Sequence, residues 1–66
     1  MYICVDFDGT IVDHDYPNIG KPAPQAIHYL KEWQRRGAKL ILFTKRSGEK
    51  LDEAEEYLEG EGIKLV

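Results

Sequence analysis

Two short apolar runs constrain this chain more than anything else in it. One is Ile3, Cys4 and Val5 within "YICVDF"; the other is Leu40 to Phe43 within "KLILFT". A continuous apolar run reads as a strand covered on both faces, as in a parallel sheet. Between them, Asp13 to Pro24 is rich in Pro, Gly, Asp and Asn and reads as a loop. Ala23 to Arg36 then carries a helical pattern, with Ala26, Ile27, Leu30 and Trp33 on one face. Pro22 and Pro24 suit its start, and Arg35, Arg36 and Gly37 suit its end. After the second strand, Ser47 offers an N-cap for a helix lined by Leu51, Ala54 and Leu58 and stopped at Gly60 and Gly62. Ile63 to Val66 reads as a third strand.

The expected fold class is therefore α/β: a small, three-layer, Rossmann-like βαβαβ unit. Its three parallel strands would run in the order 3-2-1 with right-handed crossovers. A chain of 66 residues is expected to form a single domain, 1–66, with a marginal core. One local alternative stays open. Asp8-Gly9 between apolar runs is a strong hairpin signal, and "YICVDFDGTIVDH" could turn there.

Parallel sheets bind ligands at the carboxyl ends of their strands. Asp6 and Asp8 lie at that end of the first strand. Thr44, Lys45 and Arg46 lie at that end of the second. Two carboxylates so close suit Mg²⁺, which prefers oxygen and often uses one or two carboxylates plus waters and a phosphate. They can also divide labour as nucleophile and as acid then base. Gly9 permits close approach of backbone to an anion. Thr44 can donate a hydrogen bond to a phosphoryl oxygen, and Lys45 or Arg46 can balance its charge.

The segment "DFDGT" resembles the first signature, Asp-x-Asp-Gly-Thr, of the haloacid dehalogenase superfamily of phosphohydrolases. "LILFT" resembles the second, an apolar strand ending in Thr or Ser. The likeness is to the amino-terminal part of that fold. The third signature, which is basic, and the fourth, which is acidic, do not occur in these 66 residues. The resemblance implies Mg²⁺-dependent phosphoryl transfer through an aspartyl-phosphate on Asp6, weak or incomplete without the later signatures. Asp8 would be the acid and base. Asp6 and Asp8 would hold the metal, and Gly9, Thr10, Thr44, Lys45 and Arg46 would surround a small phosphorylated substrate. The alternative is a catalytically silent phosphate- or metal-binding fragment, or a minimal structural version of the fold.

The remaining polar residues read more plainly. His14 lies in a solvated loop with Asp13 and Asp15, and His28 has no partner at a zinc spacing. Tyr29 and Trp33 read as core, Cys4 as a buried inert thiol, and the acidic second helix as a solvated face. A formal charge of −3 argues against non-specific nucleic-acid binding. No apolar run approaches a membrane span. One cysteine allows no disulfide within the chain, which fits a cytoplasmic setting. The first strand would present an open edge, an invitation to a homodimer.

Overall fold

The computed structural model describes residues 1–66. In chain order the elements are β1 (Tyr2–Asp6), α1 (Pro24–Arg35), β2 (Lys39–Phe43) and α2 (Gly48–Gly60). β1 and β2 pair in parallel, Tyr2 opposite Lys39 and Asp6 opposite Phe43. No hairpin forms at Asp8-Gly9.

The expected three-stranded sheet is corrected, because the sheet has two strands. The chain end contributes one isolated parallel bridge, Leu40 to Leu65, and a Val66 amide bond to the Leu40 carbonyl at 2.8 Å. Ile63 turns inward and is buried, anchoring the segment before it can extend as a strand.

The three-layer expectation is corrected too. Val5 and Leu40 share one buried cluster with Ile27 of α1 and with Ala54 and Leu58 of α2. Both helices therefore pack on one sheet face. The other face carries Tyr2, Cys4 and Asp6 beside Lys39, Ile41 and Phe43. There Tyr2 is 64% and Phe43 72% exposed. Cys4 is exposed, not a buried thiol. The apolar runs thus alternate in burial although they do not alternate in polarity. Tyr29 and Trp33 are likewise exposed rather than core, since α1 buries Ile27 and half-buries Leu30. Each of the fully buried Leu40, Leu58 and Ile63 contributes about 1.5–3 kcal/mol.

Local chemistry sets the helix ends. Pro24 opens α1 behind Ala23, and Ser47 precedes α2 in an extended conformation. Both helices close alike. Gly37 and Gly62 take φ of +96° and +85°, which only glycine adopts readily. Ala38 then donates to the Trp33 carbonyl at 3.0 Å, and Ile63 to the Leu58 carbonyl at 2.9 Å. This six-to-one closure satisfies carbonyls that the helix leaves open. It also aims the chain from α1 straight into β2.

The segment read as a plain loop has a stem. Val12 bridges Pro22 antiparallel, Asp13 N–H donates to the Lys21 carbonyl, and Ala23 N–H to the Ile11 carbonyl, each bond 2.8 Å. Residues 13–21 are thereby held as a closed loop beside the end of β1. No helix is long and apolar enough to cross a membrane.

Candidate functional site

Parallel pairing puts the carboxyl ends of β1 and β2 side by side. A cavity of about 710 Å³ opens there, lined by Asp6, Asp8, His14, Tyr16, Phe43, Thr44, Lys45 and Arg46. That volume falls in the range of small-ligand sites. Of the residues expected at the site, Asp6, Asp8, Thr44, Lys45 and Arg46 converge on it. Gly9 and Thr10 do not line it; they lie exposed in the turn where the Phe7 carbonyl accepts the Thr10 and Ile11 amides at 3.2 and 2.9 Å. His14, Tyr16 and Phe43 join it from positions that sequence spacing did not mark.

Arg46 is the centre of the arrangement. It is only 4% exposed. Its Nε and Nη2 donate to Oδ2 and Oδ1 of Asp8 at 2.8 and 2.7 Å. Nη2 also donates to the Asn18 carbonyl at 2.8 Å, and Nη1 reaches the Pro17 and Lys50 carbonyls at 3.5 and 3.4 Å. The guanidinium lies 5.1 Å from the ring centres of both Phe7 and Tyr16, within cation–π range. One side chain therefore joins the end of β1, the closed loop and the first turn of α2.

This clamp decides what Asp8 can do. Its hydrogen bonds to Arg46 hold the carboxyl below the usual carboxylate range, against the opposing effect of burial; the Arg46 charge and nearby His14 act in the same direction as the hydrogen bonds. A carboxylate so held stays ionised, and both its oxygens are engaged. It has no proton to give a leaving group. In this geometry Asp8 is engaged as the ion-pair partner of Arg46.

Asp6 is exposed, with Oδ1 accepting the Phe7 amide at 3.0 Å. The Thr44 Oγ1 accepts the Arg46 amide at 3.1 Å, which leaves its O–H free to donate into the cavity. Lys45 is exposed and makes no ion pair. No group of three or more His, Cys, Asp and Glu is placed to hold a metal. With Asp8 taken by Arg46, Asp6 is the free carboxylate of the cavity.

No family model and no curated protein matches the chain. Among solved structures it is similar to a conserved protein of Bacteroides thetaiotaomicron, with 49% identity and a TM-score of 0.94. That match covers 98% of this chain and 54% of the other. The chain thus spans about half the length of that protein. The resemblance to the haloacid dehalogenase superfamily is not upheld. No family match supports it, the three-stranded sheet is missing, and the metal cluster and free acid are absent from the site. The inferred Mg²⁺-dependent phosphohydrolase, and the minimal structural version of that fold, fall with it.

Proposed function

We propose that the cavity at the carboxyl ends of β1 and β2 is a binding site for a small phosphorylated ligand, in a module that recognises rather than turns over. The carrying observation is the closed Arg46–Asp8 pair. It neutralises one carboxylate internally and leaves the Thr44 hydroxyl and the Lys45 ammonium as the groups free to meet an anion. Lys45 supplies a mobile charge, and Thr44 a hydrogen bond to a phosphoryl oxygen.

Asp6 would oppose a phosphate dianion unless a cation lies between them. Mg²⁺ meets that need, since it binds through one carboxylate, several waters and a ligand phosphate. The donor set fits an ion that arrives with the ligand better than one resident in the protein. A cytoplasmic setting belongs to the same proposal, supported by a single exposed cysteine and hence no internal disulfide.

Calorimetric titration with phenyl phosphate, with and without Mg²⁺, tests this reading. Binding should strengthen with Mg²⁺. Lys45→Ala and Thr44→Val should each weaken it by about tenfold, or about 1.4 kcal/mol. No binding by the wild type, or wild-type affinity in both variants, would overturn it.

A further inference from the structure

The open edge of β1 has a polarity that the fold makes readable. Lys39 lies opposite Tyr2, and its N–H donates to the Met1 carbonyl at 2.8 Å. In a parallel ladder a residue bonds to the two that flank its opposite number. Met1, Ile3 and Val5 therefore turn their main-chain groups towards β2. Tyr2, Cys4 and Asp6 turn theirs outward, along an edge with no neighbouring strand. These three residues also place their side chains on the bare face of the sheet. Such an edge is a template for another strand.

The side chains on that edge select the occupant. Asp6 stands at its carboxyl end. At its amino end the Lys39 ammonium lies over the Tyr2 ring, 5.8 Å from the ring centre, which brings its charge from β2 towards the open side. A strand that pairs antiparallel here and carries the same residues would lay its acidic end against this basic end, and the reverse. We propose that the occupant is a second copy of this chain, with β1 meeting β1 about a two-fold axis at Cys4.

In that register Cys4 faces the partner's Cys4, and Tyr2 faces the partner's Asp6. Each facing pair exchanges both main-chain hydrogen bonds. All the outward groups of β1 are satisfied, and the sheets of two chains become one. The partner's Lys39 then comes to the side of Asp6, at the rim of the ligand cavity. The partner copy so contributes a positive charge to a site that otherwise has an exposed carboxylate at its edge. The interface stands on the edge geometry and does not depend on which ligand the cavity takes.

Sedimentation equilibrium from micromolar to submillimolar concentration reads the assembly directly. The wild type should show a concentration-dependent dimer, with slow amide exchange at Tyr2, Cys4 and Asp6. Cys4→Pro removes an outward N–H and leaves the β1–β2 ladder intact, a position where an edge strand tolerates proline. It should be monomeric with unchanged circular dichroism. Should that variant fail to fold, Lys39→Glu serves. It should weaken dimerisation by at least about tenfold, the scale of a close charge pair across an interface, and adding Asp6→Lys should restore it. A monomeric wild type at every concentration overturns the proposal. So does a dimer indifferent to the charge reversal.

Discussion

Arg46 and Asp8, 38 residues apart, form a bidentate ion pair in which both carboxylate oxygens meet guanidinium nitrogens at 2.7 and 2.8 Å. The Arg46 side chain is 1% exposed and that of Asp8 15%. A pair this dry carries a large desolvation cost, and removing one partner leaves the other charge uncompensated. The pair also spans three segments, because Arg46 holds the carbonyls of Pro17 and Asn18 as well.

Arg46→Met should therefore destabilise the fold by about 3–5 kcal/mol, the usual consequence of breaking a buried pair. Arg46→Lys should recover only part of this. An ammonium cannot reproduce the planar fork that meets both oxygens, nor reach the loop carbonyls at the same time. Urea unfolding of the two variants checks the order. Equal stability of wild type and Arg46→Lys would contradict the bidentate geometry.

The same pair makes stability depend on acid. The Asp8 pKa is depressed in the folded state, chiefly by its hydrogen bonds to Arg46. Its contribution is fully present above the unfolded aspartate value, about 3.9. It is lost as pH falls through the lower, folded value. Asp8→Asn should be the less stable protein at neutral pH. The gap to wild type should close as the medium is acidified below about pH 4, the unfolded aspartate value. Unfolding curves at stepped pH would show the two converge; a constant gap would mean Asp8 does not titrate against Arg46.

Gly20 sits against the Asp13 backbone so closely that a Cβ would overlap the Asp13 carbonyl oxygen. That carbonyl belongs to the stem that closes residues 13–21. Gly20→Ala should force the stem apart, at about 1–3 kcal/mol, the range for overpacking. Proteolysis should find the loop before the rest of the chain. Gly60→Ala is the control, since a Cβ there meets nothing nearby, and should leave the loop as resistant as wild type.

The order of strand and helix was legible because it rests on local patterns: two apolar runs, one amphipathic segment, prolines before it and glycines after. The convergence of Asp6, Asp8, Thr44, Lys45 and Arg46 was legible for a topological reason, since parallel strands carry their carboxyl ends to the same edge. The partnership inside that cluster was not. Spacing marks Arg46 as a charge near a ligand, but only coordinates show it turned onto Asp8 and the Asn18 carbonyl. The bare sheet face was hidden by composition. Cys4, Ile41 and Phe43 are as apolar as their buried neighbours, so nothing in the residue types separates a strand covered once from one covered twice. Exposure of Trp33 has the same origin: its place on the apolar stripe of α1 is right, but residue types do not show which part of that stripe is covered.

Tyr57 presents the opposite case, a polar group placed where nothing meets it. Its ring packs edge-on against Phe7 with centres 6.1 Å apart, and its hydroxyl is buried with no hydrogen-bond partner. Burial, with Glu61 adding to it, pushes the phenol pKa up. A buried hydroxyl without a partner forfeits its hydration for no return, about 1–3 kcal/mol. Tyr57→Phe keeps the ring and the contact with Phe7 and removes that penalty. It should stabilise the protein by about 1 kcal/mol at neutral pH, the lower end of that range. The sign above neutrality follows from the raised pKa. Wild-type stability is intact below the unfolded tyrosine value, about 10, and is lost as pH rises from there to the folded value. The advantage of Tyr57→Phe should therefore widen in alkali. Urea unfolding at neutral pH and again above pH 10 measures both effects, and a destabilised Tyr57→Phe at neutral pH would mean the hydroxyl has a partner after all.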